Sequence, residues 1–251
     1  MVLPNHRKVA FFAHFEGVWR HPGDREGFIT VVMCDEGWFW IIPLDDHRTS
    51  VGLVLDQAAA KATGVAPRHM LEWGIDRCPV LRDRCAGARR LGESGSMADF
   101  SYRCRPYAGQ GYTLIGDAAL FLDPVFSTGV CLGMMSAVEA AAGLAKVFGG
   151  TLRPEVYRRR YIRFVDRSSA VFFKLVAHFY DPAFRDLFLE AEGPFDIHRA
   201  TIGVLAGSVF PRPEWALRWR LALLDLAVAT HRRVALAPRR RGFSLLEADG
   251  R

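Results

Sequence analysis

Between Lys8 and Leu55, four runs rich in valine, isoleucine, phenylalanine and tryptophan (KVAFFAHFEGVW, GFITVVMC, WFWIIPL and TSVGLVL) are separated by the turn-forming HPGDREG, DEG and DDHR. β-Branched and aromatic residues suit a pleated, half-buried surface, and the separators are turn chemistry. This quarter of the chain therefore predicts an antiparallel sheet in which each strand lies beside its predecessor. Within it, GWFWIIPLDD (Gly37 to Asp46) sets Trp38 and Trp40 at a spacing of two. Strand side chains alternate between faces, so both indoles project to one side, as packed core or as a wall against something flat.

Around 67–86 the pattern changes to PRHMLEWGIDRCPVLRDRC, with apolar residues every three or four positions and Pro67 placed as a helix opener. A further strand pair is expected around 88–105. From Gly129 onward the chain reads as helix: VCLGMMSAVEAAAGLAKVF, closed by Gly149 and Gly150, then PEVYRRRYIRFVDRSSAVFFKLVAHFY, PAFRDLFLEA, HRATIGVLAGSVF and PEWALRWRLALLDLAVATHR. Proline or glycine opens or bounds each. The fold class expected is α+β: a mostly antiparallel-sheet domain over 1–110, a connecting segment and helix over 111–150, and a helical region over 151–251.

Composition excludes several classes. With 251 residues, half of them hydrophobic and about a quarter charged, the chain can bury a large core and is neither disordered nor collagen-like. No uninterrupted apolar run reaches the roughly 18 residues of a membrane span, and no hydrophobic stretch follows Met1 as in a secretory signal. No membrane partner and a cytoplasmic location are expected. The cysteines, Cys34, Cys78, Cys85, Cys104 and Cys131, are odd in number and scattered, so they read as reduced thiols and not as a metal site. The net charge of +6 concentrates in RPEVYRRRYIR and HRRVALAPRRRG. Without a zinc finger or a basic and aromatic strand pair, nucleic acid is not expected. Such runs are usually solvated faces, and an acidic carrier protein is the other partner class they suit.

The second informative stretch is GYTLIGDAALFLDPVFSTGVCLG, Gly111 to Gly133. A short buried strand, YTLIG, is expected to run into Gly116 and Asp117, with the small Ala118 and Ala119 allowing close approach to the backbone. Asp117 at a strand end suits a polyol or ribose hydroxyl. Asp123 and Pro124 begin a turn, and Ser127, Thr128 and Gly129 lead into a helix whose first amides lack intrahelical acceptors, a setting for an anion. The same residues also fit a plain turn and an ordinary Ser or Thr N-cap.

Together the two stretches resemble a known family. GDAALFLDPVFSTG resembles the second FAD-binding motif of flavoprotein monooxygenases, and WFWIIP resembles the Trp-x-Trp-x-Ile-Pro motif of their flavin-dependent halogenase branch. The resemblance covers most of 8–190. It implies FAD, delivered reduced by a flavin reductase, and chloride. Flavin contacts would fall on Gly116, Asp117, Ala118, Asp123, Pro124 and Gly129, with Asp117 on the ribityl chain and Pro124 between flavin and substrate chamber. Chloride would lie at Ser127, Thr128 and Gly129. Trp38, Trp40, Pro43, Pro124 and Phe126 would wall the active site. In the implied reaction, reduced flavin and oxygen form a hydroperoxide, chloride attacks its distal oxygen, and hypochlorous acid reaches a lysine beside the substrate.

Departures from the family narrow the reading. Its opening strand, GxGxxG turn and helix, which place pyrophosphate on a helix N-terminus, have no counterpart here, and GESGS (Gly92 to Ser96) lacks that setting. The N-terminal Rossmann-like βαβ unit is thus expected to be missing. Lys8, Lys61, Lys146 and Lys174 match no family lysine, so no catalytic residue is nominated. Phe126 stands where tryptophan halogenases carry glutamate, which points to a phenol, pyrrole or other acyl substrate, small or tethered to a carrier. The expectation is the C-terminal portion of a flavin-dependent halogenase. An FAD-dependent hydroxylase or reductase and a noncatalytic interaction module are the alternatives.

Overall fold

The computed structural model describes residues 7–190, 197–207, 210, 215–240 and 242–247, with side chains for all but 197–200. Residues 7–100 with 242–247 make one compact unit and Ser101–Arg240 the other. The 111–150 segment, expected as a piece of its own, thus shares a unit with the helices that follow it. Residues 242–247, expected with those helices, join the sheet.

The first unit is built on β1 (Lys8–Glu16), β2 (Thr30–Met33), β3 (Gly37–Pro43), β4 (Arg48–Asp56) and β5 (Arg89–Ala98), a five-stranded antiparallel sheet in the order β2-β3-β4-β1-β5. The expectation that each strand lies beside its predecessor fails at β1. This strand pairs along its whole length with β4, from Lys8 opposite Asp56 to Glu16 opposite Arg48, and with β5 on its other side. Its continuous apolar run suits a central position, whereas the short β2 becomes an edge. The two acids after Leu44 also find their explanation. Asp45 Oδ1 accepts the amides of His47 (3.0 Å) and Arg48 (2.8 Å), and Oδ2 accepts Arg48 Nε (2.6 Å), closing the β3–β4 hairpin. Those bonds, the Arg48 amide first, hold the Asp45 carboxyl down at about 2.

One sheet face carries Phe11, Phe39, Ile41, Leu53 and Leu55, covered by α1 (Gln57–Ala62), α2 (Met70–Arg77) and α3 (Pro79–Arg84) through Leu71, Ile75 and Leu81. A Cβ at Gly74 would lie 2.5 Å from Leu53 Cδ2, so glycine sets how closely α2 lies on the strands. The single helix expected over 67–86 is broken, because Pro79 forces Cys78 into extended backbone (ψ 109°). The strands expected as a pair over 88–105 do not pair with each other: β5 lies on β1, and the two-residue β6 (Tyr102–Arg103) belongs to the other unit. Leu245 is fully buried in the sheet unit's core, and Glu36 takes the amide of Leu245 (2.9 Å) and the hydroxyl of Ser244.

In the second unit, β6 pairs with β9 (Leu120–Phe121), and β7 (Ala108–Gly109) with β8 (Tyr112–Thr113). The buried strand expected over YTLIG is reduced to β8, with Tyr112 and Ile115 exposed. The helices are α4 (Gly129–Phe148), α5 (Pro154–Phe179), α6 (Pro182–Phe188), α7 (Ile197–Leu205) and α8 (Trp215–His231). Pro213, expected to open α8, lies outside the described residues. The core gathers Phe164, Phe172, Leu175, Phe184, Leu187, Leu221 and Leu224 around α5. By length and composition α4 is apolar enough to cross a membrane. Counting uninterrupted apolar residues passes over it, because Glu139 and Lys146 interrupt the run.

Candidate functional site

On the sheet face opposite Phe39 and Ile41, Trp38 and Trp40 stand with ring centroids 5.7 Å apart, and Phe12 lies 6.2 Å from Trp40. Trp40 Nε1 donates to Ser50 Oγ at 3.0 Å, which fixes the indole's rotation. The register explains how large rings lie so flat. Trp40 is opposite Gly52, and Phe12 is opposite both Gly52 and Gly95. A Cβ on Gly52 would overlap the Trp40 ring, and one on Gly95 would lie 2.8 Å from the Phe12 ring. Each aromatic therefore occupies space that a glycine in the next strand leaves free. Gly92 (φ +77°) marks the bulge that shifts the β1–β5 register, so the GESGS cluster serves sheet geometry. Pro43 departs from the expected wall: by alternation it falls on the Phe39 and Ile41 face. Phe12 was the missed member, and its signal is the pair of glycines placed opposite it.

In the other unit, Gly116–Ala118 form a 3-10 turn entered through Gly116 at φ +56°. This turn is docked on α4. A Cβ added to Gly116 would lie 3.4 Å from the Gly133 Cα, and the Gly116 amide donates to Ser136 Oγ at 3.3 Å. The docking brings the exposed Asp117 to the start of α4, where its Oδ1 lies 3.9 Å from the position a Cβ on Gly129 would take. Tyr102 OH donates to the Asp117 carbonyl at 2.8 Å, and burial first, the Asp117 charge second, push the Tyr102 phenol up. No hydrogen bond or ion pair to the Asp117 carboxylate is found among the described residues. The docking thus sets Gly116 against α4 and Asp117 beside Gly129.

Asp123 and Pro124 have a different setting. Asp123 is buried; its Oδ1 accepts the Val125 amide at 2.9 Å and its Oδ2 accepts Tyr180 OH at 2.8 Å. Its carboxylate shapes the Pro124–Phe126 turn, with Pro124 and Phe126 half-buried and Phe126 set edge-on to Phe179 at 5.5 Å. Ser127 follows in the left-handed region at φ +51°, a conformation of modest cost for serine that redirects the chain into α4. Thr128 is buried in the N-cap position, yet neither it nor Ser127 caps the helix through its side chain, and no acidic residue lies in the first turn. The ordinary N-cap is therefore not what these residues form. Tyr180 and Ser136 are the hydrogen-bonding neighbours of this segment that sequence reasoning missed. Tyr180 is 57 positions from Asp123, and no local pattern couples the two.

The open carboxylate, the glycine beside it and the uncapped helix start fit a flavin. Ribityl hydroxyls can donate to Asp117, and the α4 amides can meet an electronegative edge or an anion. Among the described residues no cluster of three or more His, Cys, Asp or Glu could hold a metal. No disulfide joins the five cysteines, and burial pushes Cys34 up to about 12 and Cys85 to about 11.

A family profile described as tryptophan halogenase matches residues 1–187. The 1H-pyrrole-2-carbonyl-(peptidyl-carrier protein) brominase of Pseudoalteromonas luteoviolacea (strain 2ta16) is 37% identical over 146 residues, 57% of this chain and 36% of that protein. The tryptophan 2-halogenase of Chondromyces crocatus is 33% identical over 168 residues, 64% of this chain and 32% of that protein. Among solved structures, the flavin-dependent brominase Bmp2 superposes with a TM-score of 0.78 at 30% identity, over 91% of this chain and 56% of its own. The myxobacterial chondrochloren halogenase CndH gives 0.64 at 29%, over 88% and 55%. The chain thus spans about a third of the length of the curated relatives and about half that of the solved structures.

Proposed function

Because the chain belongs to the tryptophan halogenase family, we propose that it is the sheet-and-helix portion of a flavin-dependent halogenase acting on an aromatic or acyl substrate other than tryptophan, held on a carrier protein. The observation that carries this is the docking of the Gly116–Ala118 turn on α4, which sets an open carboxylate beside an uncapped helix start. FAD bound there in its reduced form, supplied by a reductase, would activate oxygen. The chain's own residues do the rest. Asp117 orients the ribityl hydroxyls, Gly129 leaves room beside it, and the amides of Thr128 and Gly129 hold chloride, a weak base that needs positioned donors more than a counter-charge; the Ser127 amide, expected to join them, is taken by the Pro124 carbonyl at 3.0 Å. Phe126 contributes an apolar side without the carboxylate that would polarise an indole.

Two further features support a companion dinucleotide-binding segment, on the same polypeptide or separate. No GxGxxG unit occurs in a strand, turn and helix setting. Along α4, Val130, Met134, Val138 and Phe148 are 74%, 65%, 64% and 85% exposed, an apolar stripe at helical spacing. Flavin fluorescence on titration of the purified chain with FAD tests this part. The expected result is weak binding that rises by orders of magnitude when such a segment is added, and micromolar binding by the chain alone would count against it. Liposome flotation, or dimerisation that covers the stripe, would assign α4 to a membrane or to a second copy.

Halide-dependent turnover with the segment restored tests the chemistry. Replacing Thr128, or changing Gly129→Pro, which removes one backbone donor, should reduce halogenation more than oxidation of the flavin by oxygen. Equal loss of both would withdraw the chloride assignment, and hydroxylated product without halogen would make the protein a hydroxylase. Bromide belongs in the same assay as chloride, given the brominase relative.

A further inference from the structure

One face of α5 is fixed. Tyr157 and Tyr161 are buried with ring centroids 5.9 Å apart, Tyr161 OH donates to the Leu114 carbonyl at 2.7 Å, and Tyr157 OH meets Thr113 Oγ1 at 3.0 Å. A Cβ on Gly143 would lie 2.5 Å from the Tyr157 ring, so α4 and α5 interlock there. The anchored tyrosines turn Arg159, Arg160 and Arg163 to the exposed side. With Val156 and Ile162 these arginines line a surface recess of about 480 Å³. They differ from five other basic residues of their unit. Arg105 pairs with Asp166, Arg158 with Glu155 (3.4 Å), Lys174 with Asp225, Arg232 with Asp181 (2.6 Å) and Arg240 with Glu190 (3.5 Å). Among the described residues Arg159, Arg160 and Arg163 have no acidic partner; Arg163 Nε meets only the Arg159 carbonyl, at 3.2 Å.

We propose that this recess is the docking point of an acidic peptidyl-carrier domain that delivers the tethered substrate, an inference that rests on the carrier-bound reading above. Three unneutralised guanidiniums within about one helical turn, roughly 6 Å of rise, repel one another unless an anionic surface meets them. Guanidinium forks pair bidentately with carboxylates and phosphates, the groups that an acidic carrier helix and its phosphopantetheine arm present. A cationic rim over an aliphatic floor is the anatomy of a protein interface. A nucleic acid would ask for a longer basic track and would leave Val156 and Ile162 without a role.

The test is binding of a phosphopantetheinylated, net-negative peptidyl-carrier domain to the full chain by fluorescence anisotropy, at low and at high salt. Arg159→Glu combined with Arg160→Glu should weaken binding ~10-fold or more and flatten its salt dependence, while Arg218→Glu, exposed on α8, should not. All three positions are exposed, and circular dichroism confirms that each variant is folded. The proposal falls if the parent does not bind the carrier, if the double variant binds like the parent, if Arg218→Glu loses as much, or if a duplex oligonucleotide binds the same arginines more tightly. Carrier binding without halogenation would overturn the functional reading and keep the docking site. Halogenation of a free substrate without carrier binding would do the reverse.

Discussion

Both units use glycine to bring groups close, and they use the space differently. In the sheet, Gly52 and Gly95 are filled by the Trp40 and Phe12 rings. At the start of α4, the nearest atom to a Cβ placed on Gly129 is the Asp117 carboxylate, 3.9 Å away. A filled glycine is a packing device and an open one is room for something else. The Trp pair is therefore packing held from within its own sheet, with Trp38 fully buried and Trp40 half-buried, whereas the α4 start is a site with unmet hydrogen-bonding capacity.

If that contrast is right, the largest effect belongs to Gly52→Val. The new methyls must displace a ring fixed by its bond to Ser50, costing about 3 kcal/mol, measured by urea unfolding; a loss below about 1 kcal/mol would mean the wall is soft. Next is Tyr180→Phe, which strips one partner from the buried Asp123 carboxylate. It should destabilise by about 2 kcal/mol and, with FAD restored, lower halogenation by loosening the Pro124–Phe126 turn. Third, Cys34 binds its proton more tightly folded than unfolded. Its contribution is complete below the unfolded value of about 8.5 and is lost at about 1.4 kcal/mol per pH unit as pH rises towards the folded value of about 12. Cys34→Ala should flatten that alkaline slope between pH 8 and pH 9.5, and an unchanged slope would assign it to other groups such as Cys85. The smallest effect on stability is that of Gly129→Ala, expected within about 0.5 kcal/mol, yet it should weaken flavin or halide binding. A marked loss of stability there would show that the open glycine is only another packing device.

The sequence made one periodicity plain and hid another. Trp38 and Trp40 share a face as alternation requires, and Asp117 and Gly129, which the motif singled out, lie side by side. Strand order was not legible, because pairing β1 with β4 across 40 residues depends on which strand is buried on both sides and not on turn length. Pro43 was misplaced because a motif was read as one surface although a strand divides it between two. Tyr180 and Ser136 were invisible for a simpler reason: both act on partners distant in sequence, through bonds that leave no pattern around either residue.

The seam between Glu36 and the segment from Ser244 to Leu246 has a consequence for how this chain matures. Its partners are separated by about 209 positions, so during synthesis the strands of the sheet leave the ribosome long before the residue that fills the last hole among them. Until Leu245 arrives, the site it occupies stands open and the Glu36 carboxylate lacks its donors. The sheet thus waits on residues made well over a hundred positions after its strands, because Ser101–Arg240 lies between them in the sequence. A nascent chain stalled or clipped before Phe243 would carry a sheet with every strand present and its core unsealed, and chaperones and proteases would meet that species first.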